Sequence, residues 1–321
     1  MKERYKGMMV GLAVGDALGQ TLKFKKPKSF DDDISDMIGG GVFNLPPGKW
    51  GNCTSMALCI ADSLIVEKAY NPQDIIQRFW RYYTTGYNSS MDYCFDLGIT
   101  TITALKMFAI TRNKYAGRYT LSSNGNGSLV RLAPIIIKYH NNVKDLAQKA
   151  FLSSNITHGS RLAVMSCIVL AFLLKAILKN ENKKQILSEE LGAEIRKKIK
   201  FEDLPFQKDF GKVMIPTGIK NILKGSYKYY EPPDIVANTK ADKTLEAALW
   251  AFYTTDNFED CVLKAINLGV DSDSVGAVTG QIAGAFYGYS NIPQKWKDIL
   301  YRESEICEIV QKLAEPKRIL S

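Results

Sequence analysis

The chain has 321 residues, 46% hydrophobic and 23% charged, with a formal net charge of +9. That balance belongs to an ordinary soluble globular protein able to bury a sizeable core, as one large domain or two modest ones. Cys53, Cys59, Cys94, Cys167, Cys261 and Cys307 form no CxxC pair and no regular spacing, which reads as reduced thiols rather than a disulfide framework.

The charged start, Met1 to Lys6, leads into an apolar stretch broken by Gly11, Gly15, Asp16 and Gly19. A signal peptide needs an unbroken apolar core, so this segment predicts a first helix and a loop. Residues 55–68 place Met56, Ala57, Ile60, Leu64 and Ile65 on one helical face. Similar periodicity predicts helices over 75–83, 97–110, 143–152, 161–178 and 184–200. It continues over 244–253, 258–268, 274–287 and 303–313. Residues 210–223 are a weaker case, interrupted by Pro216 and Gly218.

The apolar run from Leu162 to Ile177 is short for a membrane span and contains Ser166 and Lys175, so a core helix is expected. Much of the positive excess lies over 175–200, interleaved with Glu181, Glu189, Glu190 and Glu194. That pattern predicts a solvated face, and no nucleic-acid motif accompanies it. Strand-like alternation is weak throughout, so the fold class is all-α. Polar or Gly/Pro-rich interruptions fall at 38–47, 122–128 and 227–243, the first and last long for plain connectors. With no clean linker and no repeat, residues 1–321 are expected to form one domain, in the cytoplasm or another reducing compartment and without a membrane span.

Three segments could carry chemistry. Asp271-Ser272-Asp273-Ser274 opens a small-residue helix and offers hard oxygen ligands to a divalent cation such as Mg²⁺. The competing reading is that these carboxylates cap that helix. Gly125-Asn126-Gly127-Ser128 lets backbone N–H groups approach a diphosphate, or is simply a turn. Thr157-His158-Gly159-Ser160 is a polar turn before the helix at Arg161, holding one of only two histidines, the other being His140. A lone histidine is more often a structural hydrogen-bond partner than a catalyst.

In order, Gly11 to Gly19, Trp50 to Met56, Phe95 to Thr101, Gly125 to Pro134, Thr157 to Gly159, Leu245 to Phe252 and Asn267 to Gly288 resemble the blocks of the ADP-ribosylglycohydrolase family. The resemblance spans residues 7–298 and implies a compact orthogonal all-α bundle with two Mg²⁺ ions below an ADP-ribose cleft. It implies cleavage of the glycosidic bond joining ADP-ribose to modified side chains such as arginine or serine. It assigns the ligand to Gly125, Asn126, Gly127, Ser128, His158 and Gly159.

The same resemblance exposes departures. Where the family has Thr-Asp-Asp-Thr, this chain reads Gly51-Asn52-Cys53-Thr54, and an amide and a soft thiol replace two hard carboxylates. Lys23 stands at the place of the family's catalytic carboxylate, where it cannot act as a base and repels a metal. The histidine block ends in Ser160 rather than an acid, and no glycine-aromatic element is legible over 236–243. No catalytic residue is therefore assigned. Asp271, Asp273, Ser274 and Thr54 are left as ligands for one Mg²⁺ or Ca²⁺, the second site being lost. The expected function is a catalytically impaired pseudoenzyme that binds an ADP-ribose-like ligand or an acidic protein partner, or serves as a structural subunit. The alternative is a residual Mg²⁺-dependent ADP-ribosyl hydrolase.

Overall fold

Two glycine-striped helices in backbone contact fix the centre of the molecule. The structure, a computed structural model, describes every residue except 28, 30–32, 121–122, 199–214 and 316–321. In chain order its helices are α1 (Lys2–Gly19), α2 (Asn52–Val66), α3 (Pro72–Thr85), α4 (Ile99–Thr111), α5 (Ala133–Tyr139), α6 (Val143–Asn155) and α7 (Arg161–Leu178). There follow α8 (Lys183–Ile186), α9 (Glu189–Lys198), α10 (Thr217–Ile222), α11 (Ala241–Tyr253), α12 (Phe258–Ile266), α13 (Ser272–Tyr287), α14 (Gln294–Ile299) and α15 (Glu303–Ala314). Among the described residues there is no sheet, only isolated bridges such as Gly125 with Lys240. The all-α expectation holds.

The predicted break inside the first segment does not occur. Helix α1 runs unbroken through Gly11 and Gly15 because those glycines face Gly280 and Gly276 of α13. A Cβ on Gly11 would sit 2.3 Å from the Gly280 carbonyl oxygen, and one on Gly280 would sit 1.9 Å from that of Gly11. Gly7 and Gly284 repeat the contact one turn further along. Close backbone approach offsets the roughly 1 kcal/mol that each glycine costs a helix. It also brings the end of α1 against the start of α13, where Gly19 lies on the backbone of Ser272 and Asp273. That junction is the floor of the site.

Helix α7 matches its predicted range and is buried almost entirely. Ser160 caps it, its hydroxyl accepting from the Ala163 N–H. It is long and apolar enough to cross a membrane, but 89% of that stretch is buried inside the fold, as a core helix requires. Helix α3 starts on an Asn71 cap with Pro72 at its first position and stops at Gly86 in the left-handed region.

The basic stretch 175–200 is two helices, α8 and α9, after the end of α7. On α9, Glu189, Glu190, Glu194 and Lys197 face solvent, while Leu191 and Ile195 face the core. Lys175 departs from the predicted solvated face: it is buried and donates to the His140 carbonyl. Of the weak segment 210–223, residues 210–214 lie outside the described residues and the rest contains the short α10. Position 122 and positions 199–200, the ends of two other expected segments, also lie outside them. All six cysteines are free thiols.

Candidate functional site

The floor of the site gathers the end of α1, the start of α2, the loop before α4 and the start of α13. Asp16, on the last turn of α1, is saturated. Its Oδ1 accepts from the Gly51 N–H at 3.0 Å and from Gln20 at 3.1 Å. Its Oδ2 accepts from the Thr54 N–H at 2.9 Å and from the Thr54 hydroxyl at 2.7 Å. Burial, then repulsion from Asp273, pushes the Asp16 carboxyl up to about 6 despite these bonds.

Lys23 enters the same floor. The Phe24 N–H donates to Val270 O and the Val270 N–H to Lys25 O, tying this segment to the start of α13. The Lys23 ammonium then lies 2.5 Å from Asp96 Oδ2 and 2.5 Å from Asp273 Oδ2. The lysine side chain is 4% exposed, that of Asp96 6% and that of Asp273 0%. Burial alone would lower the ammonium's affinity for its proton. Asp273, Asp96 and Asp271 outweigh burial and hold it well above the usual lysine range. Burial and Asp273 push Asp96 up, while the ammonium pulls it down. The Asn52 amide donates to Asp96 O and, at 3.3 Å, to Asp96 Oδ2, so Asn52 also serves this ion pair.

Asp271 stands at the first position before α13 but makes no capping bond, so the helix-cap reading of this carboxylate fails. It accepts instead from the Asn126 amide at 2.6 Å. Burial and Asp273 push Asp271 up to about 6, against Lys23 and the Asn126 and Ser274 hydrogen bonds. Thr54 bonds Asp16, not Asp271 or Asp273. Asp273 Oδ1 and Gln20 Oε1 are buried without a hydrogen-bond partner.

Above this floor opens a cavity of about 590 Å³. Lys23, Asn52, Asp96, Asp271 and Ser274 line its base, and Phe24, Phe43 and Ile99 line its mouth. One wall is Asn124, Gly125, Asn126 and Gly127, held in place by the Asn126 N–H donating to Thr239 O at 2.9 Å. Thr239 and Lys240 thus take part where the sequence showed no legible element.

His158 faces this wall. Arg131, fully buried, donates to Thr157 Oγ1 at 2.7 Å, and Thr157 Oγ1 lies 2.7 Å from His158 Nδ1, which orients the ring. A Cβ on Gly127 would fall 2.9 Å from His158 Cε1 and 3.2 Å from Nε2, so only a glycine lets the ring in. Burial and the Arg131 charge push the imidazole down to about 3, leaving a neutral ring beside the glycine loop.

This depressed value has a measurable sign. The folded value lies below the ordinary 6.5, so His158 contributes stability above that pH that is lost as pH falls toward 3. His158→Asn removes up to about 1.4 kcal/mol per pH unit of the acid-side slope. Urea unfolding at about pH 6 and about pH 5 checks it. A wild-type-minus-variant difference that stays constant with pH would refute the assignment.

Of the residues expected to hold ligand, Gly125, Asn126, Gly127 and His158 line the cavity. Ser128 and Gly159 are not among its lining residues. Ser128 bonds Ser154 at 2.8 Å, and Gly159 packs on Gly117, where a Cβ would meet the carbonyl at 2.7 Å. Of the expected metal ligands, Asp271 and Asp273 meet at the floor, Ser274 stands beside Asp271, and Thr54 is diverted to Asp16. Sequence reasoning missed Asp16, Gln20 and Asp96. The signal for two of them was present, since Asp16 and Asp96 sit inside the family-like blocks Gly11 to Gly19 and Phe95 to Thr101.

Asp16, Cys53 and Asp273 lie close enough to share an ion. But Asp16 already accepts four donors, near the acceptor capacity of a carboxylate. Cys53 offers only a buried soft thiol, a poor partner for a hard cation. Asp273 Oδ1 is then the one uncommitted hard oxygen of the three, too few for Mg²⁺. The remaining carboxylates are bound to the Lys23 ammonium and to Asn126. The residues do not fit a two-cation centre.

A profile of the ADP-ribosylglycohydrolase family matches residues 1–319. The chain is 35% identical over 311 residues to the ADP-ribosylarginine hydrolase Tri1 of Serratia proteamaculans, covering 97% of this chain and 79% of that protein. It is 25% identical over 297 residues to the ADP-ribosyl-[dinitrogen reductase] glycohydrolase of Rhodospirillum rubrum, covering 92% and 89% of the two. A solved structure titled an ADP-ribosylglycohydrolase-related protein complex superposes with a TM-score of 0.82 at 34% identity. It covers 98% of this chain and 97% of its own.

Proposed function

The chain belongs to the ADP-ribosylglycohydrolase family, and on that premise we propose that it binds an ADP-ribose-like ligand without cleaving it. The observation that carries this reading is the Lys23 ammonium bridging Asp96 and Asp273 below an intact cavity. The backbone of the Asn124 to Gly127 wall and the neutral His158 ring suit a diphosphate, and the cavity is of small-ligand size. Cleavage of a glycosidic bond needs a base and fixed positive charge where the transition state develops charge. The base position holds Lys23, and Asp96, Asp271 and Asp273, which would hold cations, each have an oxygen bound to a protein donor. Losing a general base costs about 10²–10⁴ in rate, and losing an electrostatic stabiliser about 10²–10³ more.

A second reading has its own support: two relatives at 35% identity carry the name ADP-ribosylarginine hydrolase, and Asp16 titrates near 6, where a base is useful. In the first reading Asp16 is structural, because three of its four hydrogen bonds, from Gly51 and Thr54, hold α1 against the start of α2.

ADP-ribosylated arginine and serine peptides, incubated with the protein and excess Mg²⁺, separate the two. Release of ADP-ribose stays at the buffer rate if the chain only binds. Turnover that Asp271→Ala abolishes would establish the hydrolase. If neither release nor ADP-ribose binding occurs, the fold serves as a structural or partner-binding subunit.

A further inference from the structure

We propose that the Lys23 ammonium is the resident cation of this site, standing in for the divalent ion that the family resemblance implies there. The inference deepens the ligand-binding reading and rests on it only for what the cation would touch.

Three geometric facts converge. The ammonium is equidistant, at 2.5 Å, from oxygens of two carboxylates brought together from distant parts of the chain, Asp96 and Asp273. Gln20 Nε2 approaches the same two oxygens, 3.4 Å from Asp96 Oδ2 and 3.4 Å from Asp273 Oδ2, so both oxygens point at one cationic centre. The lysine is also fixed by its backbone, through the paired bonds of Phe24 and Lys25 to Val270. A surface lysine swinging into a vacant hole would lack that tie. Here the chain delivers the charge to the floor as it folds.

The consequence is a site whose positive charge cannot be removed by chelation. Lys23, Asp96 and Asp271 all line the cavity base, so a ribose placed there meets an ammonium donor and carboxylate acceptors. Such a set suits neighbouring hydroxyls, which both donate and accept. The same charge excludes Mg²⁺: an ammonium a few ångströms from the shared oxygens repels a divalent ion strongly in a buried setting.

The test is a Mn²⁺ titration followed by the loss of the free-ion electron paramagnetic resonance signal, without ADP-ribose. The unaltered protein is expected to show no saturable site, and its thermal midpoint to be the same in MgCl₂ and in EDTA. Lys23→Met, which keeps length and removes charge, is expected to bind Mn²⁺ about a hundredfold or more tighter than the unaltered protein. Folded Lys23→Met that still binds no Mn²⁺ would overturn the proposal. If that variant does not fold, Lys23→Gln is titrated in its place with the same expectation. The unaltered protein also decides alone: a saturable Mn²⁺ site lost in Asp273→Asn overturns the proposal. Failure to bind ADP-ribose sinks the ligand-binding reading and leaves the resident cation untouched, since no nucleotide enters this titration.

Discussion

Asp273→Ala lowers the unfolding free energy by about 3 kcal/mol at neutral pH, within the range for breaking a buried ion pair from one side. Asp273 is wholly buried, and its loss leaves the Lys23 ammonium with Asp96 as its one direct carboxylate partner. Part of the loss is offset, because Asp273 repels Asp16, Asp96 and Asp271. The double-mutant cycle is the sharper readout. Combined with Lys23→Met, Asp273→Ala is expected to cost far less than the two single losses added, with a coupling on the order of 2 kcal/mol. Urea unfolding of the four proteins measures it. Additive losses would mean that the lysine and the carboxylate are neighbours without being energetic partners.

Gly280→Val is expected to cost about 4 kcal/mol or more, at the upper end for a single substitution. The new Cβ would fall 1.9 Å from the Gly11 carbonyl oxygen and 2.5 Å from its carbon, and backbone cannot turn aside as a side chain can. The helices α1 and α13 must separate, and with them the junction that sets Asp16 and Gly19 against Ser272 and Asp273. Gly98→Ala is the control: nothing lies within 4 Å of its added Cβ, and because Gly98 is the N-cap of α4 the change should cost no more than about 1 kcal/mol. Thermal and urea unfolding of both variants decide the matter. A Gly280→Val protein as stable as the Gly98→Ala control would contradict the backbone-contact account.

The helices with one apolar face, such as α3, α6 and α12, were legible because their burial pattern is local. Helix α1 was not fully legible, because Gly11 and Gly15 read as breaks until their partners are known. Their spacing of four, repeated by Gly276, Gly280 and Gly284, was the available signal. Lys175 was read as solvated from its charged neighbours, yet it sits on a helix whose every turn is buried, where its ammonium donates to the His140 carbonyl. Helices α5 and α14, at seven and six residues, are too short for periodicity to register.

At the site, resemblance located Asp271, Asp273, Lys23, Asn126 and His158, but not how they are joined. The bond from Asn126 to Asp271 crosses 145 positions and the pair of Lys23 with Asp273 crosses 250. No sequence pattern carries contacts of that range. Ser128 and Gly159 were assigned to the ligand because a glycine or hydroxyl in a turn looks the same whether it faces a cavity or a neighbouring helix. The departures from the family pattern at Asn52, Cys53 and Lys23 were legible in the sequence. The structure adds that Lys23 and Asn52 are partners of Asp96.

Isothermal calorimetry of ADP-ribose binding, run once in MgCl₂ and once in EDTA, tests the central claim most directly. A site organised around the Lys23 ammonium binds ADP-ribose with the same affinity in both buffers and releases no product. Binding that vanishes in EDTA and returns with Mg²⁺ would contradict that account.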